Sequence, residues 1–409
     1  MSDTTPVNSA DTALRNRARR VIPGGLWGHM NAGNLPEGYP QYFAHAEGCR
    51  LTDVDGRSFV DLMCAWGPII LGHRHPAVES AARAQAERGD AMNGPGAVLV
   101  DLAEMLVALI PHADWCQFAK NGTDATTGCV TIARHGTAKR KVLVARGAYH
   151  GAVPWCSPSV NGVTAEDRAH LLHFTYNDTA SVDAAVEQAG GDLAAVVVSA
   201  FRHDMGQPQE LPTPEFARHV RAACDAAGAA LILGDVRAGF RLDLGGSWET
   251  VGVRPDLAAY SKAIGNGHAL AAVTGREWLR QAASEVFTTG SFWYGAVSMA
   301  AALATLTELR RVNAPAYLRG IGERLRAGLT ERAAHHGLTI SQTGPVSMPT
   351  VLFTDDPDWK KGFAFCAEAL RHGAYLHPKH NMFLSCAHAE ADIDAVLEAA
   401  DKGFRYVAR

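Results

Sequence analysis

Three short segments of this 409-residue sequence set reactive side chains among glycines. In the first, Lys120-Asn121-Gly122-Thr123-Asp124 precedes the helical pattern ATTGCVTIARHG. A glycine followed by a hydroxyl at a helix start offers free N–H groups and a favourable dipole to a phosphate. The same residues also read as a plain cap, the commoner case, with Asn121 and Thr123 closing the helix end. The second is Gly147-Ala148-Tyr149-His150-Gly151, where Tyr149 can pack on a flat ligand and His150 can exchange protons. Both types are also common in ordinary turns. In the third, Lys262 of Ser261-Lys262-Ala263-Ile264-Gly265 stands between an apolar run and a glycine-rich turn. Desolvation lowers a lysine pKa, and a less protonated amine can form a Schiff base. Taken by itself, that segment fits a snorkelling or ion-paired lysine slightly better.

The elements that must hold these segments lie between about Leu106 and Thr274. Apolar runs predict strands at Trp115–Ala119, Lys141–Ala145, Ala194–Ser199, Ala229–Leu233, Leu257–Tyr260 and Leu270–Thr274. Runs such as AAVVVS are continuously apolar, as strands covered on both faces are. A helix is predicted between the third and fourth strands, with Thr213 as cap, Pro214 at its first position and Gly228 ending it. Alternation of this kind predicts an α/β fold with a doubly wound, mainly parallel sheet and right-handed crossovers. Such sheets bind ligands at the carboxyl ends of their strands, where all three segments fall. A phosphate cradle, a stacking aromatic and a buried lysine together describe a site for pyridoxal 5'-phosphate (PLP). A dinucleotide would want GxGxxG after an early strand, and the sequence has none.

The flanks read differently. Residues 42–62 predict short antiparallel strands joined at Asp55-Gly56, Ala296–Arg310 a helix, and Ala391–Phe404 another. The expected division is an N-terminal segment contributing to a small α+β domain (1–75), a large ligand-binding domain (76–310) and the rest of the small domain (311–409).

Composition narrows the classes. The chain is 47% hydrophobic and 20% charged, with net charge -4, which gives no field for nucleic acid or anionic membranes. No apolar stretch reaches the ~20 residues of a membrane span, and no secretory signal pattern opens the chain. Its eight cysteines are scattered without a CxxC pair, as in reduced cytoplasmic proteins. The first dozen residues, MSDTTPVNSADT, are polar and predicted to lack structure.

From Thr52 to the C-terminus the sequence resembles the class III aminotransferases of PLP fold type I, nearest the glutamate-1-semialdehyde aminomutase branch. The resemblance rests on Trp66-Gly67-Pro68, Leu71-Gly72-His73 and His75-Pro76, Asn121-Gly122-Thr123-Asp124-Ala125-Thr126, Tyr149-His150-Gly151 and Tyr176-Asn177-Asp178. It continues through Val236 with Gly239-Phe240-Arg241, Pro255-Asp256-Leu257, Ser261-Lys262-Ala263-Ile264-Gly265 and Ala387-His388. It implies that Lys262 forms the internal aldimine and moves the substrate's α-proton. Gly122 and Thr123 would hold the cofactor phosphate, with Asn121 where a serine is frequent. Tyr149 would stack on one face of the pyridine and Val236 on the other. Ser291 stands where the family has a threonine reaching a partner's phosphate, which implies a homodimer with shared active sites, and Trp66 would line the substrate entrance.

Two departures fall at acid positions. The family's Asp-Glu-Val is here Gly234-Asp235-Val236, so the aspartate that pairs with the pyridine nitrogen is replaced by Gly234. Side chains alternate along a strand, so Asp235 should aim away from the ring unless a bulge brings it round. Where the family has Glu-Pro, the sequence has Ser199-Ala200. A carboxylate at the ring nitrogen keeps it protonated and makes it an electron sink. Without one, Asp235 reaches the nitrogen through a bulge, the enzyme works with a neutral pyridine, or it binds cofactor with little turnover. For the substrate, Arg202 and Arg237 can grip a carboxylate bidentately, and pairing with Asp204, Asp235 or Asp243 fits them equally well. His377, His380 and Asn381 are candidates for the mouth, and His-x-x-His beside Pro378 without a third ligand predicts no metal.

The expected function is amino transfer between a small amine or amino acid (the donor) and an oxo acid (the acceptor). The alternatives are an aminomutase, a PLP enzyme that makes or breaks bonds in altered chemistry, and a non-catalytic PLP-binding protein.

Overall fold

The computed structural model describes residues 9–409. Most of the segment predicted to lack structure, residues 1–8, lies outside the described residues. The expectation fails at residues 10–12, because a helix already begins at Ala10 and runs to Val21. Ser9 Oγ caps it by accepting from Thr12 N at 3.1 Å, and Asp11 fastens it by accepting from Gln41 N at 2.8 Å and Tyr42 N at 2.9 Å.

Three antiparallel strands follow, β1 (Phe43–Glu47), β2 (Arg50–Asp53) and β3 (Ser58–Asp61). The turn between β2 and β3 falls at Asp55-Gly56, as predicted. Gly56 takes φ 84° there, and Asp53 Oδ1 accepts from the N–H groups of Asp55 and Arg57.

The central sheet uses β4 (Trp115–Ala119), β5 (Lys141–Ala145), β6 (Leu171–Phe174), β7 (Leu193–Ser199), β8 (Ala230–Gly234), β9 (Leu257–Tyr260) and β10 (Ala271–Gly275). Their spatial order is β4-β10-β9-β8-β7-β5-β6. All neighbours run parallel except β10, which is antiparallel to both β4 and β9. The sheet is therefore mainly parallel and covered on both faces. On β7, where all seven residues are buried, Val196 and Val198 pack with Phe216 and Val220 of the helix Pro214–Ala227. Ala195 and Val197 face the other way, onto Ala125, Cys129 and Ile132 of the helix Gly122–Thr137. The helix Pro214–Ala227 begins and ends where predicted, with Thr213 Oγ1 accepting from Phe216 N and Gly228 at φ 55°. The edge strand β6 was not predicted, since its residues LLHF are mostly half-exposed and carry no continuous apolar run.

Beyond the helices Ala296–Arg311 and Ala314–His335, β11 (Ile340–Thr343) and β12 (Thr350–Phe353) pair antiparallel, and the helix Lys360–Arg371 leads to β13 (Ala374–Tyr375). β13 joins β3 in parallel, so one four-stranded sheet takes strands from both ends of the chain. The C-terminal helix spans Glu390–Val407. Among the described residues no helix is long and apolar enough to cross a membrane.

Asp256, 3% exposed, anchors the central sheet. Its carboxylate accepts from Arg221 Nη1 at 2.6 Å, Leu231 N at 2.8 Å and Trp278 Nε1 at 3.1 Å, which ties the helix Pro214–Ala227 to the starts of β8 and β9. Replacing it by alanine strands three donors. Asp256→Ala is expected to cost about 3 kcal/mol, the low end for a broken buried pair because Arg221 keeps some contact with water. Chemical unfolding would show this as a lower midpoint at unchanged slope.

Candidate active site

The three glycine-bearing segments meet at the carboxyl ends of β4, β5 and β9, around a cavity of about 370 Å³. Asn121, Gly122 and Thr123 line it at the start of the helix Gly122–Thr137, whose first N–H groups have no intrahelical acceptor. Asp124 turns back to accept from Asn121 N at 2.9 Å, so the cap closes on the helix's own acid. A Cβ on Gly122 would lie 2.5 Å from Val236 Cγ1, so only glycine lets this helix end approach the segment after β8 so closely. Gly151, at φ 138°, packs as tightly on Thr123, where a Cβ would sit 2.7 Å from Oγ1.

Tyr149 and His150 line the same cavity, as do Val236, Arg237 and Lys262. Lys262 sits at φ 49°, a left-handed conformation that a residue with a side chain adopts at a cost. Its Nζ donates to Trp66 O at 2.6 Å. Burial, and then the cations of Arg237 and Arg241, lower its pKa to about 7. The accepting carbonyl belongs to an equally unusual turn, with Cys64, Ala65 and Trp66 at φ 47°, 53° and 65° and Gly67 at φ 106°. Asp61 holds that turn, its Oδ1 accepting from Met63 N and Cys64 N and its Oδ2 lying 2.9 Å from His73 Nε2. Arg241, 1% exposed, braces the other side by donating to Gly67 O, Ile69 O and Leu384 O.

Arg237 Nη1 donates to Asn381 Oδ1 at 2.6 Å. Among the described residues it forms no ion pair, and burial lowers its pKa to about 10. A cation so placed is free to take a carboxylate from a ligand. Near it, burial and then Arg237 itself push His203 and His380 well below the usual histidine range, so both imidazoles are neutral.

Five of the expected site residues lie outside the cavity wall. Asp235 is fully buried and turned away, accepting from Ser247 N at 2.8 Å and from the Ser247 hydroxyl. Strand alternation holds, no bulge brings its carboxylate round, and burial raises its pKa to about 6 despite the Ser247 bonds. Ser199 is buried opposite Gly234 in the β7–β8 ladder and presents nothing to the cavity. Arg202 pairs with Asp204 at 2.8 Å and Glu210 at 3.1 Å and does not line the cavity. Trp66 reaches the site only through its carbonyl, which accepts from Lys262 Nζ, while its indole packs edge-on against His29, His377 and His380. Ser291 is exposed.

Sequence reasoning missed His203 and His268 in the wall, although His203 follows the end of β7 as the recognised residues follow theirs. Among the described residues no cluster of His, Cys, Asp and Glu could hold a metal ion. The cavity does fit PLP. A glycine-built helix end suits a phosphate, and a desolvated amine suits an aldehyde.

Known proteins resemble the chain closely. A family model described as aminotransferase class-III matches residues 36–398. An aminopentol aminotransferase of Sphingopyxis macrogoltabida is 46% identical over 396 residues, 97% of this chain and 94% of that protein. The solved PLP internal aldimine form of the FumI protein of Sphingopyxis sp. MTA144 superposes with a TM-score of 0.95 at 46% identity, covering 96% of this chain and 95% of that one. A glutamate-1-semialdehyde aminomutase from Pseudomonas aeruginosa PAO1 shares the fold, with a TM-score of 0.87 at 22% identity over 97% of this chain and 94% of that one.

The contact between Gly122 and Val236 yields a direct test. Gly122→Ala forces its new methyl into Val236, an overpacking of about 1–3 kcal/mol. The variant is expected to bind PLP roughly 10–100-fold more weakly by equilibrium titration.

Proposed function

The chain belongs to the class-III aminotransferases, and from that premise we propose that it transfers nitrogen from a primary amine, of the class its aminopentol-named relative is named for, to an oxo acid through Lys262. The observation that carries this reading is the buried amine of Lys262, hydrogen-bonded to a carbonyl and flanked by cations, in a cavity that also holds a helix N-terminus. PLP is the cofactor of the family. When bound, it supplies an aldehyde that condenses with amines and a conjugated ring that takes up electrons.

The residues divide the remaining work. The N–H groups of Gly122 and Thr123 would hold the phosphate at the helix end, with Asn121 beside them. Tyr149 and Val236, both in the cavity wall, would bound the two faces of the ring. Trp66 O orients Lys262 Nζ, and with its pKa near 7 that nitrogen is free to attack as an amine and then to hold or release a proton. Arg237, steadied by Asn381, grips the carboxylate of the oxo acid. Neutral His203 and His380 do not repel that cation.

A homodimer belongs to the same proposal, with Ser291 reaching the partner's site. Supporting it, Phe287 is 94% exposed and Phe292 70% exposed on either side of Ser291, an apolar patch of the kind that marks interfaces. A cytoplasmic location is supported by eight free cysteines.

The first experiment is the visible spectrum of the purified protein with PLP, before and after a panel of amines and amino acids, followed by borohydride trapping. A yellow protein bleached by a donor and trapped at Lys262 supports the reading, and a protein that traps nothing at Lys262 overturns it. The pH dependence has a definite sign. The lowered pKa leaves Lys262 free amine above about 7, so its rate of PLP capture is expected to climb through that pH and level off. In Arg237→Ala the same midpoint should move up, because one of the cations depressing it is gone. That variant should also raise KM for the oxo acid roughly 10–100-fold, the worth of a charge-assisted hydrogen bond to a carboxylate. The half-reaction with an amine lacking a carboxylate should keep its KM.

A further inference from the structure

The wall of the cavity lacks a carboxylate where the family resemblance puts the partner of the ring nitrogen. Gly234 stands there, and Asp235 is committed to Ser247. What fills the space beside Gly234 is the imidazole of His150. A Cβ built on Gly234 would meet His150 Nδ1 at 3.4 Å and Cε1 at 3.8 Å, so Nδ1 is the side-chain atom nearest the missing acid's place. His150 is 7% exposed and lines the cavity, yet its Nε2 is sealed from solvent without a hydrogen-bond partner among the described residues.

We propose that His150 takes over from the absent carboxylate, donating a hydrogen bond from Nδ1 to the ring nitrogen of PLP and leaving that nitrogen unprotonated. The inference rests on the function proposed above and names a positioning partner for its cofactor. A neutral imidazole carries its hydrogen on one nitrogen only. Burying a bare lone pair without a partner costs less than burying an unpaired N–H. The sealed Nε2 is therefore the bare one, and the hydrogen sits on Nδ1, facing Gly234. Burial lowers the His150 pKa to about 4, so the ring is a neutral donor with no proton to give up to the pyridine.

Two measurements test this apart from turnover. The first is the ¹⁵N resonance of ring-labelled PLP bound to the wild-type holoenzyme. A pyridine-like shift is expected, and a pyridinium-like shift overturns the proposal. The second compares affinities for PLP and for its 1-deaza analogue, in which carbon replaces the ring nitrogen. The wild type is expected to prefer PLP roughly tenfold, the worth of one neutral hydrogen bond. In His150→Phe that preference should vanish, and in His150→Gln, which keeps a donor, part of it should return. An undiminished preference in His150→Phe overturns the proposal. Borohydride trapping at Lys262 in the same samples separates the failures. Label on Lys262 with no loss of preference sinks the His150 role alone, and no label on Lys262 sinks the functional reading beneath it.

Discussion

Lys262 Nζ donates to a backbone carbonyl 2.6 Å away, its charged neighbours are Arg237 and Arg241, and no carboxylate forms an ion pair with it among the described residues. An amine taken out of water without a counter-ion gives up its proton more readily, and its reactivity follows from that burial. Keeping the site this way constrains everything around it. A carboxylate turned toward Nζ would restore the proton, and it is notable in this light that Asp61 and Asp235 each spend their oxygens elsewhere. Asp61 secures the turn of residues 63–67 and Asp235 secures Ser247.

The same constraint accounts for the strained backbone. A carbonyl can orient a neutral amine without contributing full charge, but a carbonyl aimed across the cavity needs a turn that ordinary helix and strand do not provide. Residues 64–67 supply it in left-handed conformations, and their cost is met by Asp61 on one side and Arg241 on the other. Arg241 reaches Gly67, Ile69 and Leu384 at once, so the geometry at Lys262 depends on contacts that span 143 to 174 residues of sequence.

What could be read from the sequence follows the range of the interactions. Lys262, Gly122, Thr123, Tyr149 and His150 were legible because each follows directly on an apolar strand, and strand order alone carries them to one end of the sheet. The outward turn of Asp235 was legible too, from the alternation of side chains along β8. Arg202 was half legible: its pairing with Asp204 was one of two readings the sequence left open, whereas Glu210 reaches it across a backbone bridge between residues 202 and 210 that no periodicity announces. Ser199 depends on packing in the same way. Position in a family pattern located it, but its burial against Gly234 decides what it can touch. Arg241 and Asn381 were singled out in the sequence, but their partners lie across the chain, and a single sequence does not name them.

The electrostatic consequence of losing both carboxylates reaches beyond the ring nitrogen. A site with an acid at that nitrogen places negative charge behind the ring and relies on a protonated pyridine to draw electrons. Here the fixed charges near the reacting amine are Arg237 and Arg241, the helix Gly122–Thr137 points its positive end into the cavity, and His150 and His203 are neutral. Positive potential thus surrounds the place where a substrate carbon would lose its proton. In a cavity partly shielded from water, such preorganised charge acts strongly on developing negative charge. Among the described residues no carboxylate lines the cavity to offset that field directly, and Asp204 acts on Arg237 from behind the wall.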